Sequence, residues 1–358
     1  MEEIIDFTNC KRIFRALGGT DRKFEVEYNG NPYIIKFSDK HAKKTDMSTS
    51  YINNVVSEYI CSHISESMGL PTHKTVLGLY DDRPVVGCLD FRNPNEQNIE
   101  FAEFVRACYE PKEIKRVIRL DQIYNTLSDT NIFSEELRED SIARYWDTFV
   151  ADALVGNFDR HAGNWGYLSN NNQLSIAPVY DFGSSLLPQL SDDGIETIMN
   201  NEFMLYERCL VFPSAALFIT AEKKGKVGYY DMMASNYDSD CTSAVKRMVP
   251  RINIDAIHRI IDNTPLISET RKEFYKKYID YRKKLILDRA YDRCVTKKYD
   301  SQALERILSG SQYSTKDLQA DMEYNKKYFQ PIEDTTCQSR SNKTQNHHQS
   351  QGSDLLRQ

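Results

Sequence analysis

The chain has 358 residues, 40% hydrophobic and 27% charged, with a formal net charge of −6. This is the balance of an ordinary globular protein long enough to build two lobes or domains. The acidic excess argues against a nucleic-acid binder, no apolar run is long enough to span or insert into a bilayer, and eight cysteines without a C-x-x-C pair give no support to zinc-ribbon or thioredoxin chemistry.

The opening MEEIIDFTNC has neither the basic nor the apolar region of a Sec signal, so cytoplasmic synthesis is expected, with export by a route that needs no such peptide left open. Residues 23–37, KFEVEYNGNPYIIKF, alternate apolar and charged positions around Asn29-Gly30 and predict a β-hairpin. Apolar residues recur at helical spacing from Tyr51 to Met68, with N-caps offered by Ser48, Thr49 and Ser50 and a stop at Gly69 and Pro71. TVLGLY and RPVVGCLDF read as two further strands joined at Asp81-Asp82. Beyond Arg92 helices dominate: 100–109, 134–155 and much of 252–309. One β-hairpin interrupts them, WGYL and QLSIAPVY around SNNN. The α+β outline is a small β-rich N-lobe (1–92), a larger helical C-lobe (93–329), and a Ser/Asn/Gln-rich tail (330–358) too polar to build a core.

The densest polar stretch is GNFDRHAGNWGYL, 156–168. Asp159 is followed five positions later by Asn164, and after the hairpin comes Asp181-Phe182-Gly183. A strand leaving Asn164 and returning to Asp181 brings both to one end of the hairpin. An amide oxygen and a carboxylate there suit Mg²⁺, which takes few oxygen ligands from protein and leaves room for phosphate and water. Asp159 can then orient, or take a proton from, an attacking hydroxyl. Taken singly, each of the three is as well explained as a turn or helix cap. In this order, D-x-x-x-x-N followed by DFG has the spacing of phosphoryl-transfer enzymes of the protein-kinase type. Arg160 and His161 flank Asp159 and can organise it or neutralise phosphate. Lys36 stands in the apolar strand YIIKF, where a lysine either marks an edge strand with its side chain in water or calls for a partner such as a nucleotide phosphate. Gly18, Gly19, Thr20 and Lys23, in GGTDRKF, suit a phosphate loop, although Gly-Gly before a strand is by itself only a turn signal. For the glutamate that pairs with Lys36, Glu58 and Glu66 both qualify, and the helical wheel places Glu66 nearer the apolar stripe.

GGTDRKF, IIKF, VVSEYICSHISESMGLPT, VVGCLDF, DALVGNFDRHAGNWGYL and IAPVYDFGSSLLP, in this order, resemble the HipA-like serine/threonine kinases, and within them the cell-translocating branch. The resemblance implies a two-lobed protein-kinase-like fold (HipA C-terminal-like), ATP and Mg²⁺ as cofactors, and transfer of the γ-phosphate to protein hydroxyls, autophosphorylation included. It makes Asp159 the catalytic aspartate with His161 beside it, Asn164 and Asp181 the metal ligands, Lys36 the nucleotide lysine, and Gly19 to Lys23 the phosphate loop. It selects Glu58, in SEY, over Glu66, and places Leu89, Asp90 and Phe91 at the hinge that meets adenine. The expected partners are a protein substrate and either an antitoxin or a host target. Two departures bear on this. The family's toxins are silenced at a serine near the phosphate loop, where this chain offers only Thr20. The triplet Asp159-Arg160-His161 also resembles lipid kinases, which keeps a lipid or small-molecule phosphotransferase as an alternative. A nucleotide-binding module without catalysis would be marked by loss of Lys36, Asp159, Asn164 or Asp181, all of which are present.

Overall fold

The computed structural model describes residues 4–15, 23–38, 53–113, 117–171, 173–219 and 225–326. The expected N-caps at Ser48 to Ser50, the glycines and Thr20 of the phosphate loop, and the tail from 330 lie outside the described residues. Strands run in chain order as β1 (Ile5–Asp6), β2 (Lys11–Ile13), β3 (Lys23–Tyr28), β4 (Asn31–Phe37), β5 (Thr75–Tyr80), β6 (Arg83–Leu89), β7 (Gln97–Glu100), β8 (Ile118–Arg119), β9 (Gly166–Asn170), β10 (Gln173–Ile176) and β11 (Leu217–Phe218). The helices are α1 (Asn54–Ser67), α2 (Phe101–Cys108), α3 (Leu120–Leu127), α4 (Glu135–Val155), α5 (Asp192–Met199), α6 (Glu202–Leu210), α7 (Tyr229–Ala234), α8 (Ser239–Met248), α9 (Ile254–Asn263), α10 (Glu269–Arg282), α11 (Arg289–Thr296), α12 (Ser301–Ser309) and α13 (Thr315–Asn325).

The N-terminal sheet has the order β1-β5-β6-β4-β3-β2, antiparallel except where β1 joins β5. Asn29 and Gly30 both take positive φ, 50° and 76°, as the two-residue turn between β3 and β4 requires. Directly opposite residues share a face, so the register splits the sheet cleanly. Val26, Ile35, Phe37 and Val85 fill one face and are closed over by Phe7, which is fully buried. Gly78 makes this possible, because a Cβ there would come within 2.6 Å of the Phe7 ring. Lys23, Lys36 and Val86 lie side by side on the opposite face, the one that meets α1 and the helical half. The strands that carry this N-terminal strap, β1 and β2, are two and three residues long. That is too short for an alternation to register in the sequence.

In the helical half, Ser134 caps α4 by accepting the Leu137 N–H at 3.2 Å, and Gly156 ends it at φ 67°. Buried Arg282 at the end of α10 donates to the Ala153 carbonyl (2.6 Å) in the last turn of α4, where carbonyls lack helical partners. A π-helical stretch, Lys283–Asp288, carries α10 into α11. The expected hairpin forms as β9 and β10, but β10 ends at Ile176 rather than reaching Tyr180. A third strand, β7, pairs with β9 on its other edge. No helix among the described residues is long and apolar enough to cross a membrane.

The chain contacts divide at Tyr313 into two units, Met1–Tyr313 and Ser314–Gln358. The second is described through α13, started by a capping box in which the Ser314 hydroxyl accepts the Asp317 N–H (3.1 Å) and donates to its carboxylate (2.6 Å).

Candidate active site

Lys36 and Glu58 meet. Lys36 Nζ donates to Glu58 Oε1 at 2.9 Å and stands 3.8 Å from Asp181 Oδ1. Burial alone would push the lysine's pKa down. The carboxylates of Glu58 and Asp181 outweigh it, so the pKa is raised and the ammonium is held in its charged form. Glu66 instead pairs with Lys74 near the surface, so the preference of the helical wheel is corrected. The wheel fails because α1 packs against β5 and β6 on one side and α9 on the other. Its buried set, Val55 to Ser62 with Ile64 and Ser65, runs round the helix and includes Glu58 at 1% exposure. A helix buried all round has no polar face from which an acid can be read as exposed.

The Glu58 carboxylate also accepts the backbone N–H groups of Asp181 (3.2 Å) and Phe182 (2.9 Å). Asp181 takes φ 65°, in the left-handed region that non-glycine residues enter at a cost. The helix glutamate thus fixes both the lysine and the strained turn that presents the Asp181 side chain.

The loop after α4 is built on groups that sequence reasoning missed. Buried Asn157 donates its amide to Asp152 Oδ1 (2.9 Å) and accepts the Asp159 N–H (3.1 Å). The Asp159 carbonyl accepts from the His161 N–H (2.7 Å) and from the Asn164 side-chain amide (2.8 Å). That last bond fixes the amide of Asn164 and leaves its Oδ1 as an acceptor for something else. The His161 ring accepts the Gly163 N–H at Nδ1 (3.0 Å), which puts a neutral ring's proton on Nε2.

Of the two roles open to Arg160, organising the Asp159 loop or neutralising phosphate, the contacts match the first. Its guanidinium is not turned towards a phosphate but inward, 7% exposed, bound fork-to-fork to Asp152 (2.9 and 3.1 Å). It also donates to the carbonyls of Asn164 (2.8 Å) and Tyr180, and its cation lies 4.9 Å from the centre of the Phe182 ring. Burial would lower its pKa and Asp152 raises it further than that, so the charge is permanent. Arg160 therefore ties the end of α4, the Asp159 loop and the segment leading to Asp181 into one piece. The sequence signal was available in Asp152, an acid inside the apolar run FVADALV.

At the expected hinge, the Leu89 and Asp90 N–H groups are already spent on the carbonyls of Lys74 (2.8 Å) and Pro32 (2.9 Å). The Asp90 carboxylate is held by Arg92 (2.7 Å) and Arg15 (2.9 Å), with Glu25, 1% exposed, beside them. Burial raises the pKa of Asp90 but these arginines lower it more. For Glu25 burial prevails and the pKa is raised. The Phe91 ring stacks on Tyr180 (5.8 Å) and so joins the hinge to the residue before Asp181. Lys23 and Lys36 stand directly opposite across β3 and β4.

The donor set formed by the Asn164 amide oxygen and the Asp181 carboxylate is all hard oxygen and fits Mg²⁺. The side chain of Asp181 is 39% exposed and so accessible to solvent. A β-sheet carrying a lysine tied to a helix glutamate, above a helical body carrying D-x-x-x-x-N and DFG, defines the protein-kinase-like class.

The chain belongs to the HipA-like C-terminal domain family, whose model matches residues 15–249. It is 36% identical over 295 residues to the serine/threonine-protein kinase CtkA of Helicobacter pylori strain J99, covering 81% of this chain and 89% of that protein. The crystal structure of a Helicobacter pylori proinflammatory kinase CtkA superimposes with a TM-score of 0.77 at 34% identity, over 83% of this chain and 100% of that one. The two-lobed α+β architecture expected from the sequence is the observed one.

Proposed function

We propose that the chain is an ATP- and Mg²⁺-dependent serine/threonine protein kinase that also phosphorylates itself. One observation carries the reading: the Glu58 carboxylate joins Lys36 to the backbone of Asp181 and Phe182. This is the coupling a phosphoryl-transfer site needs between the group that holds the nucleotide phosphates and the group that holds the metal. Kinship with a relative named serine/threonine-protein kinase supports the choice of acceptor.

On this reading Lys36 holds the nucleotide phosphates, assisted by Lys23 and the loop preceding it. The Asn164 oxygen and Asp181 hold Mg²⁺, which when bound neutralises charge on the phosphate oxygens. Asp159, kept in place through its backbone by Asn157 and Asn164, orients the substrate hydroxyl and accepts its proton. His161 stands beside it, and Phe91 offers the hinge contact to the base.

The lipid alternative drew on the Asp159-Arg160-His161 triplet, and the commitment of Arg160 to Asp152 speaks against a contact between that guanidinium and a lipid headgroup. The test is to incubate the full chain with γ-labelled ATP, Mg²⁺ and a general protein substrate, or with lipid vesicles. Mg²⁺-dependent label in protein, lost in Asp159→Ala, is expected. Label confined to lipid or to a small molecule would overturn the assignment.

A further inference from the structure

Behind the Lys36–Glu58 pair lies a cluster that phosphoryl transfer leaves unexplained. His73, Cys88 and Glu58 each bring a ligand atom to within 4.8 Å of the others, and all three side chains are buried. They come from three separate elements: α1, the segment entering β5, and β6. The His73 ring nitrogen Nε2 is buried without a hydrogen-bond partner. It points at Glu58 Oε1 from 3.3 Å but lacks the alignment of a hydrogen bond. A buried ring nitrogen left in this state is rare and marks a place where a ligand can bind. A packing histidine would be expected to satisfy it.

The chemistry of the three donors is specific. Thiolate, imidazole and carboxylate form the borderline-soft set that selects Zn²⁺, whereas the Asn164–Asp181 pair is hard and selects Mg²⁺. Tetrahedral Zn²⁺ with bonds of about 2.0–2.3 Å sets its ligand atoms roughly 3.3–3.8 Å apart. The cluster needs to contract by about 1 Å, which side-chain rotation supplies. The Lys36 side chain, bonded to Glu58, is 22% exposed and is the partly exposed group next to the cluster.

We propose that Glu58, His73 and Cys88 form an inhibitory Zn²⁺ site, with water as the fourth ligand, that takes Glu58 away from Lys36. On binding, three metal–ligand bonds form, the Cys88 thiol proton leaves to solvent, and the Lys36–Glu58 bond breaks. Glu58 Oε1, the oxygen that faces His73, also accepts the Asp181 N–H, so the lysine and the turn at Asp181 lose that acceptor at the same step, while Oε2 stays with the Phe182 N–H. The inhibitory consequence rests on the kinase reading above, but occupancy of the site does not.

The test uses two readouts on the metal-free full chain. Co²⁺, added as the chloride, reports thiolate ligation through a near-ultraviolet charge-transfer band, and ZnCl₂ should bleach it by displacement. Cys88→Ala should abolish the band, and Cys88→Ser provides a second variant should the alanine protein melt early. Zn²⁺ should inhibit protein phosphorylation, excess Mg²⁺ should not reverse this, and Cys88→Ala should raise the inhibitory concentration by at least about tenfold. Absence of the band in the unmodified chain, its persistence in both variants, or equal inhibition of chain and variant would overturn the proposal. A cobalt band that depends on Cys88 in a chain that transfers no phosphate would refute the kinase reading and leave the metal site standing.

Discussion

Glu58 Oε1 lies 2.9 Å from Lys36 Nζ and also accepts the backbone N–H of Asp181. One carboxylate therefore does two separable things: it neutralises a half-buried ammonium, and it holds a strained turn through two amides. Glu58→Gln retains an amide oxygen for the turn but loses the charge, while Glu58→Ala loses both. Charge-assisted bonds of this kind are worth about 1.5–3 kcal/mol, or roughly 10- to 150-fold in rate. The expected order of kcat/KM is native, then Gln, then Ala, with Ala at least about 100-fold down. Equal activity of the two variants would separate the turn from the glutamate.

Asp159 and Asp181 should fail differently. On the proposed reading, Asp159→Ala removes the group that faces the acceptor hydroxyl, so transfer falls by about 10²–10⁴ while nucleotide affinity holds. On the same reading Asp181→Ala removes a proposed metal ligand, so the Mg²⁺-dependent part of nucleotide binding weakens. Isothermal titration with ATP at two Mg²⁺ concentrations distinguishes them, and unchanged Mg²⁺ dependence in Asp181→Ala would take that residue out of the metal site.

Much of this site was legible in the sequence because it lies in short, ordered motifs. Asn29-Gly30, Ser134 and Gly156 do locally what their chemistry dictates. What escaped depends on distant packing. Periodicity alone placed Glu66 nearer the apolar stripe, and only the resemblance selected Glu58, because α1 is buried on more than one side. The role of Arg160 stayed open between organising Asp159 and meeting phosphate, because only the fold aims the buried acid Asp152 at it. His73 carried no motif at all, and β1, β2 and β7 were too short or too polar to declare themselves.

The Arg160–Asp152 pair gives a stability prediction. Both groups are buried, and removing one leaves the other without its counter-charge at a cost of about 3–5 kcal/mol. Arg160→Met should therefore lower the melting temperature markedly, and Arg160→Lys should recover only part because one ammonium cannot replace a fork that also reaches the Asn164 and Tyr180 carbonyls. Asp152→Asn combined with Arg160→Met removes both charges and should be less destabilised than the sum of the singles. Strict additivity would mean that the pair does not couple.

Glu25 gives a pH-dependent one. Its pKa is raised chiefly by burial, with the neighbouring Asp90 adding to this and Arg15 only partly opposing it. An acid whose folded pKa lies above the unfolded value binds its proton more tightly when folded. Its stabilising contribution is full below about 4.5, the ordinary glutamate value, and is lost as pH rises through the raised folded value. Glu25→Gln keeps the shape and removes the ionisation. It should stabilise the protein at pH 7 relative to pH 4.5, as read by the difference in chemical-denaturation midpoint between variant and native chain. Asp90, whose pKa is lowered because Arg92 and Arg15 outweigh burial, acts in the opposite sense, contributing above about 3.8 and failing as pH falls through its lowered value. Asp90→Asn should accordingly destabilise at pH 7 and converge on the native chain in acid. A Glu25→Gln midpoint shift that does not grow with pH would show that Glu25 is already ionised in the folded protein, with Arg15 closer than the 3.6 Å seen here.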